Sequence, residues 1–103
     1  MRKANRRTAP ALIAAREEFE ASALSAYWSR YPNFGRMPED DVIALKASLK
    51  RADGDSLYVV FSYSTPIAWF EPKTGTWNVM GTKYSMTTSR HQSIVRYGVS
   101  LGH

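Results

Sequence analysis

The stretch "SLYVVFSYSTPIAWFEPKTGTWNVM", residues 56–80, decides the fold class. From Ser56 onward the hydrophobic period is two. Leu57, Val59, Phe61 and Tyr63 alternate with Tyr58, Val60 and Ser62. Side chains of successive strand residues point to opposite faces. β-branched and aromatic residues on both sets therefore predict a strand covered on both sides or lying at a sheet centre. "STP" turns the chain, "IAWF" makes a second strand, and "EPKTGT", with Pro72 and Gly75, is a hairpin loop carrying Glu71. "WNVM" is a third strand, which Gly81 ends or bulges, and Lys83–Ser85 offers a short fourth. The expectation is a three-stranded antiparallel meander.

On either side of the meander the period lengthens to that of a helix. Downstream, "TTSRHQSIVRYG" (87–98) predicts two to three helical turns with Gly98 as the stop. Upstream, "MPEDDVIALKASLKRADG" (37–54) opens with three acids and closes with Lys50 and Arg51. Those signs suit the helix dipole, and Val42, Leu45 and Leu49 form a buried stripe. Further upstream, Pro10 to Tyr31 is alanine-rich. Leu12, Ala15, Phe19, Ala23, Ala26 and Tyr27 recur at three- and four-residue steps, which predicts a first helix. The order α-α-β-β-β-α makes the class α+β: two N-terminal helices, a meander and a short C-terminal helix. Residues 1–9 read as a basic flexible tail and 10–103 as a single domain.

Composition narrows the function. Hydrophobic residues at 44% and charged residues at 22% are the balance of a globular chain rather than a disordered one. There is no cysteine, which excludes disulfides, thiol catalysis and cysteine-held zinc. His91 and His103 are the only histidines, so no metal centre and no cofactor are expected. No apolar run approaches the roughly 20 residues of a membrane span, and Arg16, Glu17, Glu18 and Glu20 interrupt any signal peptide. A cytoplasmic location is expected. The net charge of +5 is unevenly spread. Arg2, Lys3, Arg6 and Arg7 crowd the start, residues 8–55 are net acidic, and beyond Ser56 Lys73, Lys83, Arg90 and Arg96 face only Glu71. That asymmetry is compatible with an anionic partner such as nucleic acid.

Polar chemistry is densest in "KYSMTTSRHQ", residues 83–92. Tyr84, Ser85, Thr87, Thr88 and Ser89 carry hydroxyls, with Lys83, Arg90 and His91 among them. A helix start accounts for one or two of these, because Thr87, Thr88 or Ser89 can cap the free amides. An anion cradle accounts for more, with amides and hydroxyls binding a phosphate and Lys83 or Arg90 supplying charge. A reaction centre would pair His91 with Ser85 or Ser89, yet Glu71 is the sole acid available to orient the ring. No nucleophile elbow, phosphate loop or metal-ligand spacing occurs, so an enzyme is not expected. His91 shares a helix face with Ile94 and Val95, which predicts partial burial. Trp69, Trp77, Tyr63 and Tyr84 lie on or beside the sheet and could stack bases wherever they face solvent; the other reading packs them into the core.

Two segments carry a resemblance: "SYSTPIA" (62–68) and "YSMTTSRHQ" (84–92). The chain resembles a family of small uncharacterised bacteriophage and prophage proteins with S-Y-x-T-x-I-A and Y-S-x-T-T-S-[KR]-H-Q motifs, over about residues 57–97. The matching positions are Ser62, Tyr63, Thr65, Ile67, Ala68, Tyr84, Ser85, Thr87, Thr88, Ser89, Arg90, His91 and Gln92. The resemblance implies a phage-encoded protein made in a bacterial cytoplasm, and it brings no known activity. It also implies that the two segments meet, with Tyr63, Thr65 and His91, and Tyr84, Ser85 and Gln92 beside them, in a polar knot that is a ligand site or a fastening of the fold.

The leading expectation is a small basic accessory protein that binds nucleic acid through phosphates. Arg2, Lys3, Arg6 and Arg7 would give salt-dependent attraction, and Lys83, Thr87, Thr88, Ser89, Arg90 and Arg96 the ordered contacts. The alternatives are a modulator of a host protein and a structural homo-oligomer.

Overall fold

Every residue of the strand Leu57–Ser62 is buried, and the architecture follows from that. A strand with apolar residues on both pleats needs cover on both faces and a neighbour on both edges. In the computed structural model it has all four. The structure describes residues 2–5, 7–21, 23–80 and 86–101, with backbone alone for 2 and 86–89.

The elements in chain order are β1 (Arg2–Lys3), α1 (Ala9–Ala14), β2 (Phe19–Ala21), β3 (Leu24–Ser29), α2 (Glu39–Ala52), β4 (Leu57–Ser62), β5 (Thr65–Glu71), β6 (Thr76–Val79) and α3 (Met86–Leu101). The strands form one sheet in sequence order, β1 to β6. β2 to β6 are antiparallel to their neighbours, and the two-residue β1 joins the edge in parallel, Arg2 opposite Phe19 and Lys3 opposite Glu20. Residues 2 and 3 fall within the stretch expected to be a flexible tail. There Ala4 N–H donates to the Glu20 carbonyl at 2.8 Å.

The α+β class holds, but the expected layout of two N-terminal helices and a three-stranded meander is overturned. The stretch 10–31 is a six-residue helix followed by the β2–β3 hairpin. α1 ends because Arg16 adopts a left-handed φ of +54°. The Glu17 and Arg16 amides then donate back to the carbonyls of Leu12 and Ile13 at 2.9 and 3.0 Å, the paired bonds of a Schellman cap. Beyond it Phe19, Ala21, Leu24 and Ala26 are buried while Glu20 is exposed, a period of two. Alanine's helix propensity is a fraction of a kcal/mol per residue and loses to this burial. The stronger demand is that of β4, which a meander beginning at β4 would leave with a bare edge. β3 pairs with it along its whole length, from Leu24 opposite Ser62 to Ser29 opposite Leu57.

Pleating divides the core. Leu57, Val59 and Phe61 face α2 with Leu45, Ala52 and Trp69. Tyr58 and Val60 face the other side with Phe19, Leu24, Ala26, the α1 residues Ala9, Leu12 and Ile13, and Val95 of α3. A bulge in the β4–β5 register at Val60/Phe61 leaves Ile67 unmatched, so Ile67 and Ala68 both join the second cluster. α1 and α3 pack against each other on this face. α2 begins with Glu39, Asp40 and Asp41 and ends with Lys50 and Arg51, as its dipole favours.

Gly98 does not stop α3, which runs on to Leu101. A Cβ at Gly98 would lie 2.9 Å from Ile13 Cβ, Ile13 Cγ2 and the Pro10 carbonyl oxygen. The glycine is therefore the close crossing point of α1 and α3. Glu71, expected on the hairpin loop, is the last residue of β5 and is buried. Its carboxylate accepts from Arg51 Nε and NH2 at 2.9 and 3.1 Å and from Asn78 at 3.0 Å. Arg51 also donates to Ser48 Oγ, which accepts from the Trp69 indole at 2.8 Å. This network fastens α2 to β5 and β6.

Candidate functional site

Two residues, Tyr63 and Ser64, connect β4 to β5, with Ser62 opposite Thr65. Tyr63 has a φ of +58°, a region where a bulky side chain is strained by roughly 1–2 kcal/mol. The turn is tied down from three directions. Tyr63 N–H donates to the Ala23 carbonyl at 2.6 Å. Ser62 Oγ and His91 Nδ1 share a hydrogen bond of 2.7 Å, which anchors α3. Thr65 Oγ1 accepts from the Arg36 amide at 2.9 Å, which anchors the loop before α2. Gly35 allows that last approach, since a Cβ there would stand 2.5 Å from Thr65 Oγ1 and 2.6 Å from the Ser64 carbonyl oxygen.

The implied meeting of the two motif segments is thus present in the geometry, with different partners. His91 bonds Ser62, and its ring lies 6.2 Å from that of Tyr63. Thr65 turns to Arg36 instead. Gln92 is buried and donates to the Met80 carbonyl at 2.8 Å, tying α3 to the end of β6. Lys83, Tyr84, Ser85 and Arg6 lie outside the described residues. The backbone of Thr87, Thr88 and Ser89 forms the first turn of α3, and that of Arg2 lies in β1. Arg90 and Arg96 are exposed on α3, and Arg7 is exposed just before α1. Lys3 is exposed and spends its charge on Glu20, 3.3 Å away. Arg36 and Gly35 carry no local signal in the sequence, because their partners lie about thirty residues further along the chain.

The Ser62–His91 pair has the atoms of a nucleophile and a base, but its surroundings are those of a fastening. Ser62 is 2% exposed, leaving no approach for a substrate to its Oγ. Glu71, the acid that sequence offered as an orienting group, is held by Arg51 at the other end of β5. That pairing keeps its carboxyl below the usual carboxylate range, with the Arg51 hydrogen bond as the main cause. Tyr58 is equally committed. Its hydroxyl donates to the Glu17 carbonyl at 2.6 Å, and burial raises its pKa well above that of a free phenol. Among the described residues no cluster of His, Asp or Glu could hold a metal ion. Among them, too, no helix is long and apolar enough to cross a membrane.

Of the aromatics offered for stacking, Trp69 is fully buried and Trp77 is half-buried against Tyr58 and Phe70. Tyr84 lies outside the described residues. Tyr63 is 62% exposed.

A family of unknown function, DUF8033, matches residues 31–98, about two thirds of the chain. The chain belongs to DUF8033. The DUF8033 segment runs from the loop before α2 to Gly98 and includes the turn with two of its three ties, through Gly35, Arg36, Ser62, Tyr63, Thr65 and His91; Ala23, the third, precedes it. The basic start of the chain and the β2–β3 hairpin precede it. No curated protein and no solved structure matches the chain.

Proposed function

We propose that the chain is a binding protein rather than an enzyme, and that it binds nucleic acid through phosphate contacts made by the α1/α3 layer. One observation carries this reading. All nine acids fall between Glu17 and Glu71. α1 and α3, which pack together on one face of the sheet, come from the acid-free segments on either side. Arg7, Arg90 and Arg96 are exposed on or beside these helices, and α3 has no acid along its sixteen residues. A surface with fixed cations and no acids of its own attracts a polyanion over a Debye length of about 10 Å at 0.1 M salt. The phage-type origin and bacterial cytoplasm implied by the resemblance belong to the same proposal.

The test is fluorescence anisotropy with labelled DNA and RNA strands across a salt series. Phosphate binding gives a linear fall of log K with log salt. Arg90→Ala with Arg96→Ala should reduce that slope by about 0.9 per contact on a duplex or about 0.7 on a single strand. A salt-independent affinity, or a slope untouched by the double substitution, refutes the assignment to α3.

A protein partner is the second reading. Tyr97 and Leu101, 59% and 53% exposed and one turn apart on α3, favour it. Binding of that kind would survive high salt and fail on Tyr97→Ala.

A further inference from the structure

We infer that the β4–β5 turn is a stacking site for an unpaired base, with Tyr63 as the contact, and that the nucleic acid bound is therefore single-stranded. This rests on the phosphate-binding reading above and assigns a second kind of contact to it.

Tyr63 does little for the fold. The residue is 62% exposed, and its backbone sits at φ +58°, where glycine or asparagine would be at ease. A residue that breaks a local rule without a packing gain is expected where function requires it. The turn is also rigid, being held by Ala23, by His91 through Ser62, and by Arg36 through Thr65. A turn held in this way loses little backbone freedom on binding.

Its neighbours match the rest of a nucleotide. Arg36, exposed, is tied through its amide to the residue two beyond Tyr63. Arg90, exposed, directly precedes His91, whose ring lies 6.2 Å from that of Tyr63. Two exposed arginines on the segments that hold the turn supply cations for the phosphates that flank a stacked base. In a duplex the base faces are already stacked on one another, so a ring at a turn can engage only a base that is unpaired.

The experiment uses the full chain and four labelled probes. These are a 20-nucleotide oligo(dT), an abasic strand of the same length, the dT·dA duplex and a mixed-sequence duplex. The wild type should prefer oligo(dT) over the abasic strand and over both duplexes. Tyr63→Gly should weaken oligo(dT) binding on the order of ten-fold, as removal of one base-stacking ring does, and leave abasic binding unchanged. Tyr63→Phe should retain the preference. Since glycine suits the φ at this position, Tyr63→Gly should melt no lower than the wild type, which separates binding from folding. Oligo(dT) binding by Tyr63→Gly equal to the wild type's overturns the inference. Salt-sensitive binding with no preference for oligo(dT) over the abasic strand overturns the stacking site and spares the phosphate reading. No binding to any probe overturns both.

Discussion

Replacing Gly98 with alanine tests the packing on which the α1/α3 layer depends, and the sign of the effect is informative. In an unconstrained helix interior Gly→Ala stabilises by about 1 kcal/mol, because alanine loses less backbone freedom on folding. Here the new Cβ would lie 2.9 Å from two carbons of Ile13 and from the Pro10 carbonyl oxygen. Optimal carbon separations are about 3.5–4.0 Å, so the helices must part by roughly 0.5–1 Å. Overpacking of this kind costs about 1–3 kcal/mol. The contact includes backbone and a Cβ rather than the tip of a flexible side chain, so the upper part of that range applies. The net effect is a loss of about 1–2 kcal/mol, and each kcal/mol lowers the melting temperature by about 4–8 °C for a domain of this size. Gly98→Leu, with three more carbons in the same place, should cost more. Ser100→Ala, at an exposed position of the same helix, should be neutral or stabilising. Thermal and urea denaturation of the three variants decide the matter. A Gly98→Ala protein that melts higher than the wild type would refute the close crossing of α1 and α3.

Three more predictions address the tied turn and the α2 network. Gly35→Ala combines a φ of +57° with a Cβ 2.5 Å from Thr65 Oγ1, so it should cost about 2–4 kcal/mol in urea unfolding, more than Gly98→Ala. Ser62→Ala removes the buried bond to His91 and should cost about 1–3 kcal/mol, with faster amide exchange in the first turns of α3 than in α2. The Glu71 carboxyl has a depressed pKa in the folded state, so its contribution is fully present above the unfolded value of about 4.3 and is lost as pH falls through the lower folded value. Glu71→Gln should therefore lower stability at pH 7 and flatten the acid limb of a stability-against-pH curve. An unchanged acid limb would show that the Arg51 pairing does not stabilise the fold.

Legibility from the sequence followed the distance over which each element is specified. β4, β5 and β6 were readable because alternation and turn residues sit within each segment. α2 was readable from its own charges and stripe. The failure at 10–31 has one cause: the determinants lie elsewhere. Leu12, Phe19 and Ala26 fit a helical stripe as well as they fit α1, β2 and β3, and what selects the strands is the free edge of β4, some thirty residues away. The helix end at Arg16 gave no warning, since arginine rarely takes a left-handed φ. Gly98 reads as a helix stop, and only the neighbouring α1 shows it to be a contact point. In the candidate site, the burial of His91 is consistent with its sharing a face with Ile94 and Val95. Its partner Ser62, 29 residues distant in sequence, could not be read from spacing.

The pleat of β4 links the core to the site. Leu57, Val59 and Phe61 belong to the α2 side, so Tyr58, Val60 and Ser62 belong to the α1/α3 side. Ser62 meets His91 only in this register, because a shift of one residue would turn its hydroxyl toward α2. The bulge at Val60/Phe61 takes up the extra residue, Ile67, on the β5 side and leaves the parity of β4 intact. Tyr63, the next residue, has left the sheet and belongs to neither core. Thus the strand that seats the most apolar part of the fold also fixes, within two residues, a buried serine holding α3 and an exposed tyrosine whose ring lies 6.2 Å from that of His91. An alanine inserted between Val60 and Phe61 would test this coupling. It should put Ser62 on the wrong face and release the His91 bond while the α2 network of Arg51 and Glu71, at the far end of β5, persists. Amide exchange that rises in α3 and stays low in α2 is the expected result; equal loss of protection in both helices would mean that the two sides of the sheet do not fold separately enough for the register of β4 to control one alone.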